Sequence, residues 1–355
     1  TGHKWIENSF IEVNGNEIEA VNEISELKED SEVINFGNNL IVPGFIDFQV
    51  YGAGGKLLSA YPDKSTLEIM HKEFLKDGTV LFQPTIATNT VEVFKKCIDA
   101  VREYWKAGGT GVAGLHLEGP WINEAKRGAH LKELIHSPEL KEVEEILEYG
   151  KGIIKTITLA PEVVKRDVIK LIQSYGIIIS AGHSNATYSE AIQSFDAGIP
   201  MVTHLYNAMS SLMHRAPGLV GASFNNEKVI AAIIPDGHHV DYSAIQIAKK
   251  IMMERLFAIT DAVTETKIGP YQHQLVGDKY ESNGILSGSA ISMYQAFLNL
   301  VKKVCIDVDD ALKMCSRYPA KALGMEHLYG TIQKGSRLPL LVMNKDFELE
   351  NLIID

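Results

Sequence analysis

Four apolar runs in the sequence end on a residue that can bind a metal or carry a proton. Glu118 closes the run in GLHLEGP, His183 the run in IIISAGHSNATY, His204 the run in PMVTHLYNAM and Asp261 the run in FAITDA. Glu118, His183 and His204 supply one carboxylate and two imidazoles, a ligand set suited to a zinc-like divalent ion with one position open for water. Such an ion brings the pKa of its bound water towards ~7 and polarises a carbonyl oxygen. Asp261 could take the proton from that water and return it to a leaving nitrogen. That is the chemistry of amide or ester hydrolysis. Each residue alone has an ordinary explanation, because a Glu before Gly-Pro is commonly a loop or capping residue and a His at a strand end commonly a structural one. Their placement at equivalent points of successive units is what supports the metal reading. His116, two residues before Glu118, faces the same way on a strand and is expected in the core or behind the ligands.

A second group has the makings of an anion site. Arg215 lies in HRAPGL, His238 and His239 lie in PDGHHVD, and His130 ends KRGAH. A guanidinium holds a phosphate through two parallel hydrogen bonds, and imidazoles add donors. Surface loops also carry Arg and His with no such purpose, and Lys126 and Arg127 are open to either reading. The segment LSGSA, Leu286 to Ala290, either supplies small groups near a sugar or opens a helix capped by Ser287 or Ser289.

These residues need a scaffold that brings strand ends together. From about residue 41 the chain alternates short apolar runs, bounded by Gly, Pro, Asp or His, with longer charged stretches of helical period. Eight strands are expected, at 40–49, 79–86, 112–118, 153–159, 177–183, 201–204, 229–235 and 256–261. Helices are expected at 91–105, 137–149, 162–175 and 188–195, with Gly176 and Gly198 as stops. Runs such as IIIS and IAAII suit parallel strands buried on both faces. A doubly wound open sheet shares this alternation, but eight strands favour an α/β fold of the (β/α)8 TIM-barrel type, whose active sites lie at the C-terminal strand ends. Both chain ends instead alternate short Val/Ile segments with turns, in FIEVNGNEIEAV, SEVINFG and LYGTIQKGSRLPLLVMNKDFELENLIID. The expected organisation is a small β-sandwich from 1–40 plus 328–355 around a hydrolase barrel at 41–327.

Composition narrows the function further. A chain of 355 residues with 45% hydrophobic and 22% charged content is long enough to bury a sizeable core. Its net charge of -11 argues against nucleic acid or an anionic membrane as a partner, so an anionic ligand would need a local cationic cluster. No apolar run approaches the ~20 residues that cross a bilayer, and Thr1 to Phe10 lack the apolar core of a signal peptide. Cys97, Cys305 and Cys315 are odd in number and form no CxxC pair, as expected of reduced cysteines in a cytoplasmic protein.

Taken in order, PGFID at 43–47, HLEGPW at 116–121, AGHSNATY at 181–188, THLYNAM at 203–209, PGLVG at 217–221, DGHHVD at 236–241, TDA at 260–262 and LSGSA resemble the N-acetylglucosamine-6-phosphate deacetylases of the amidohydrolase superfamily. The resemblance spans nearly the whole chain. It implies hydrolysis of N-acetylglucosamine 6-phosphate to glucosamine 6-phosphate and acetate, with Glu118, His183 and His204 on the metal and Asp261 as acid and base. It further implies substrate contacts from Ala129, His130, Asn207, Ala208, Arg215, Asp236, Gly237, His238, His239, Leu286, Ser287 and Gly288. Family members are typically cytoplasmic homodimers in which some substrate contacts cross the interface. Many amidohydrolases follow the first strand with HxH, which binds a second metal. Here Gln49 and Tyr51 stand instead, so one divalent ion per subunit is expected, zinc first, with iron, cobalt or manganese as alternatives. Competing readings are an N-acetylgalactosamine-6-phosphate deacetylase, a dihydroorotase-like enzyme or an amino-acid deacetylase, and an inactive barrel that only binds a sugar phosphate.

Overall fold

The computed structural model describes residues 5–282 and 284–354 and is organised around eight parallel strands. They are β1 Phe45–Val50, β2 Thr79–Ala87, β3 Leu115–Glu118, β4 Ile154–Leu159, β5 Ile178–Ala181, β6 Met201–Val202, β7 Ile230–Ile233 and β8 Leu256–Ala258. Each pairs in register with the next, from β1 through to β8. The chain just beyond β8 returns to β1, where Asp261 N–H donates to the Gln49 carbonyl at 3.0 Å and Tyr51 N–H to the Ala262 carbonyl at 2.9 Å. The ring is the (β/α)8 TIM barrel expected. Every residue of β1 is buried, as a strand must be when it faces the barrel interior on one side and the helices on the other.

A helix follows each strand: α1 Lys64–Lys76, α2 Val91–Lys106, α3 Leu140–Tyr149, α4 Arg166–Ser174, α5 Tyr188–Asp196, α6 Gly218–Asn225, α7 Tyr242–Met252 and α8 Met293–Lys302, with α9 Val308–Cys315 and α10 Arg317–Ala322 completing the outer layer. In α2, Phe94, Cys97, Ile98, Val101 and Tyr104 are buried at helical spacing, so one stripe meets the sheet. Thr90 caps that helix by accepting from Val93 N–H, and Thr187 with Glu190 forms a capping box on α5. Gly176 and Gly198 end α4 and α5 at φ 71° and 96°, where a side chain would be strained.

Several expected boundaries move, for identifiable reasons. The single strand expected at 40–49 is two, because Leu40–Pro43 pairs antiparallel with Leu340–Met343 and only Phe45–Val50 enters the barrel. Gly44 makes the kink between them, where a β-carbon would fall 2.3 Å from Val80 Cγ1. The helix expected at 162–175 is a short 3₁₀ turn, Pro161–Val163, followed by α4. LSGSA does not open a helix: Ile285–Ser289 is a strand of a three-stranded antiparallel sheet with Gln274–Val276 and Lys279–Ser282, and Ser292 caps α8. SEVINFG forms no strand.

At the two ends, the hairpin Ser9–Asn14 with Glu17–Glu23 and the sheet of Leu40–Pro43, Leu340–Met343 and Leu349–Ile353 share a small core of Ile18, Ile332, Leu338 and Leu340.

Asp47 holds the barrel seam. Its buried carboxylate accepts from Thr260 N–H at 3.2 Å, from the Thr260 hydroxyl at 2.5 Å and from Gln49 N–H at 3.3 Å. Burial outweighs these donors and raises its pKa from 3.8 to about 7. The proton is thus held more tightly in the folded protein than in the unfolded chain. The resulting stabilisation is complete below about pH 4 and is lost as pH rises through about 7. Asp47→Asn cannot ionise and escapes that loss. Denaturant midpoints measured at pH 5 and pH 8 are expected to shift in favour of the variant, relative to wild type, at the higher pH. An unchanged difference would mean that Asp47 does not titrate there.

Candidate metal centre and substrate cavity

Strand ends deliver the four chemical residues to one place at the C-terminal face of the barrel. Glu118 is the last residue of β3. His183, His204 and Asp261 lie two or three residues past β5, β6 and β8, where the sequence had suggested continuous strand. The ladders stop early because these residues adopt left-handed backbone, at φ 47°, 31° and 54°. The turn swings each side chain inward over the barrel axis. Glu118, His183, His204 and Asp261 are all buried, at 1%, 6%, 4% and 8% exposure.

Their polar atoms crowd together. His204 Nε2 lies 3.2 Å and His183 Nε2 3.3 Å from the same Glu118 oxygen, Oε1, and the two nitrogens are 3.1 Å apart. The His183 Nδ1–H donates to the Lys126 carbonyl at 2.9 Å, so the neutral ring keeps a lone pair on Nε2. Lone pairs directed at a carboxylate oxygen repel one another unless a cation holds them, and one carboxylate with two imidazoles is a donor set a divalent ion accepts. The ligand atoms of Glu118, His130 and His183 also lie within 4.8 Å of one another, which makes His130 a rival ligand. Its proton placement sets it apart. His130 Nδ1 accepts the Thr88 backbone N–H at 3.3 Å and lies 2.7 Å from the Thr88 hydroxyl, so Nε2 carries the hydrogen of the neutral ring and points it at Glu118 Oε2, 3.2 Å away. Burial pushes the His130 pKa down to about 4, which keeps the ring neutral.

The two carboxylates are driven apart. Burial opposes charge on Glu118, but the surrounding imidazoles outweigh it and hold its pKa well below the usual range. Burial raises the pKa of Asp261, with the nearby Glu118 charge adding to the effect and the imidazoles opposing it. Gln49 and Tyr51, noted in the sequence only as non-ligands, connect the two carboxylates. Gln49 Nε2 donates to Glu118 Oε1 at 2.9 Å and to Asp261 Oδ1 at 2.7 Å, while the Tyr51 hydroxyl makes a short bond to Glu118 Oε2 and a 3.3 Å bond to Asp261 Oδ1. His116 sits beneath, buried, bonded at 2.7 Å to the Thr158 hydroxyl and pushed by burial to about 4.

A cavity of about 350 Å³ opens over the cluster. Of the expected site residues it is lined by Glu118, Ala129, His130, His183, His204, Asn207, Ala208, His239, Asp261, Leu286, Ser287 and Gly288. Four others lie off it. Asp236 is buried behind His239 and accepts from its Nδ1–H at 2.6 Å, and Gly237 makes the turn between them at φ 80°. His238 pairs with Asp278 at 2.9 Å, on the hairpin that follows β8. Arg215 is exposed on the loop before α6. Sequence reasoning missed Leu57, Ser59, Ala87, Val263, Tyr271 and His273, which also line the cavity. Leu57, Val263 and Tyr271 form one apolar cluster with Tyr51 and Ala87 packed against it. Such residues carry no sequence signal, since an isolated Leu or Val in a loop resembles any other. Lys126 contributes its carbonyl to His183, and Arg127 donates to the His130 carbonyl at 3.0 Å.

The model of the amidohydrolase family matches residues 40–355. The chain belongs to that family. It is 34% identical to an N-acetylglucosamine-6-phosphate deacetylase of Haemophilus influenzae, over 97% of this chain and 92% of that protein. It is 33% identical to an N-acetylgalactosamine-6-phosphate deacetylase of a Shewanella species, over 91% and 84%. The crystal structure of N-acetylglucosamine-6-phosphate deacetylase from Pasteurella multocida superposes with a TM-score of 0.94 at 34% identity, covering 100% of this chain and 95% of that one.

The ion content follows from this geometry. Gln49 and Tyr51 occupy the first-strand positions with neutral groups already engaged by Glu118 and Asp261. Chelated protein titrated with zinc and assayed for bound metal is expected to saturate at one equivalent per chain. His183→Asn should weaken retention by about ten-fold or more. A reproducible second tight equivalent would refute the single-ion reading.

Proposed function

We propose that this amidohydrolase removes the acetyl group of N-acetylglucosamine 6-phosphate, releasing glucosamine 6-phosphate and acetate. The observation that carries the reading is the buried set of Glu118, His183, His204 and Asp261 at the floor of one cavity, in a chain similar over almost its full length to a deacetylase of that substrate. Glu118, His183 and His204 would hold one divalent ion, zinc in the first instance. When bound, it polarises the amide carbonyl and makes a water more acidic. Asp261, buried at the cluster and held by Gln49, accepts the proton of the attacking water and passes it to the amide nitrogen as the C–N bond breaks. The His130 Nε2–H, released from Glu118 Oε2 once that carboxylate holds the ion, would be the donor for the oxyanion of the tetrahedral intermediate.

For the phosphate, His239 offers its free ring edge to the cavity, with Asp236 fixing the ring from behind. We further propose a cytoplasmic homodimer in which Arg215, exposed beside Leu212 and Met213, serves the cavity of the other subunit. The relative named as an N-acetylgalactosamine-6-phosphate deacetylase keeps that epimer as the second reading.

Acetate release from the phosphorylated and unphosphorylated sugars, by metal-loaded protein, tests both parts. The phosphorylated sugar should be strongly preferred, and Asp261→Asn should cost about 10²–10⁴-fold in kcat. No acetate from either epimer, with the metal in place, would remove the assigned substrate class.

A further inference from the structure

His273 stands apart from every residue assigned above. It lies in GPYQHQ, between β8 and the three-stranded sheet, and is 7% exposed at the wall of the cavity. Two contacts fix its ring. Nδ1 lies 2.8 Å from the Ser287 hydroxyl, and the ring plane is within 9° of Tyr271, whose hydroxyl is anchored on the Thr88 carbonyl at 2.6 Å. Nε2 has no protein partner among the described residues, although the residue borders the cavity. A buried imidazole held this firmly, with one nitrogen left over, is suited to a ligand.

The chemistry of that ligand can be narrowed. Burial lowers the His273 pKa to about 4, so the ring is neutral near pH 7 and Nε2 is either a donor or an acceptor. The Ser287 hydroxyl serves Nδ1 in both tautomers. A ligand hydroxyl likewise matches Nε2 in both, whereas a phosphate oxygen, which only accepts, matches one. In a 2-acetamido sugar 6-phosphate with its amide at the metal cluster, the ring hydroxyls of fixed configuration, which a fixed imidazole can read, sit on carbons 3 and 4, whereas the anomeric hydroxyl on carbon 1 interconverts. Building on the function proposed above, we infer that His273 Nε2 hydrogen-bonds one of these two hydroxyls and reads the sugar ring.

The test measures kcat/KM for metal-loaded wild type, His273→Ala and His273→Gln on the intact substrate and on its 3-deoxy and 4-deoxy analogues. On the intact substrate the Ala variant should lose about ten-fold or more, and the Gln variant, which keeps a donor and an acceptor, should lose less. On one deoxy analogue, wild type and the Ala variant should become equal within about two-fold. The same wild-type-to-variant ratio on all three substrates would show a merely structural role and overturn the inference, as would no loss on the intact substrate. Failure of the wild type on the intact substrate would fall on the proposed function itself.

Discussion

Keeping a charged carboxylate inside an apolar barrel is the constraint on which the rest depends. Glu118 is 1% exposed and sits above a core of Val, Ile, Leu and Phe from all eight strands. A buried, unpaired carboxylate would be too costly to persist, so its two oxygens must be satisfied almost completely. Gln49 donates to one oxygen and His130 and Tyr51 to the other, while His183 and His204 crowd Oε1 with ring nitrogens that a cation would hold in place. Five residues from four sectors of the barrel are thereby committed to one group. Removing any of them would leave a nearly buried carboxylate with one partner fewer, which is why the groups suited to chemistry also hold the rim together.

The seam between the last strand and the first serves the same end. β8 is only three residues long, and the closing contacts come from Thr260 to Ala262, the segment that carries Asp261. Closure and the placement of Asp261 are therefore one structural event. Asp47 and Thr260 lock it from beneath, Ser289 N–H donates to the Asp261 carbonyl at 3.0 Å from above, and Gln49 reaches the Asp261 carboxylate from the side. Backbone and carboxylate are both held, so Asp261 has little freedom to turn away from the cavity.

Much of this was legible in the sequence, and the failures are instructive. The eight strands and four of their helices could be read because a strand buried on both faces needs a continuous apolar run, and a covering helix needs one apolar stripe. Glu118, His183, His204 and Asp261 could be read because each ends such a run. The early ends of β5, β6 and β8 could not, since a left-handed His or Asp leaves no mark in composition. Arg215 and His238 do not line the cavity of their own chain, because one lies on an exposed loop and the other is paired with Asp278. Tyr271 and His273 were passed over because their role depends on a sheet that folds back across the barrel mouth, a long-range event with no local signature.

Backbone strain marks the same boundary between fold and site. Of nine non-glycine residues with positive φ among those described, five are His183, His204, Tyr206, Ala208 and Asp261. Left-handed backbone costs roughly 1–2 kcal/mol for such residues, and it survives only where the surroundings over-determine it. Here the surroundings do so: Leu205 N–H is tied to the Ala232 carbonyl at 2.8 Å, Ser184 N–H to the Ala208 carbonyl at 3.1 Å, and Asp261 N–H to Gln49. A glycine at 183, 204 or 261 would relieve the strain but lose the imidazole or carboxylate that enters the cluster. The chain instead keeps chemically useful side chains in a conformation they disfavour, and the barrel's stability is what permits it.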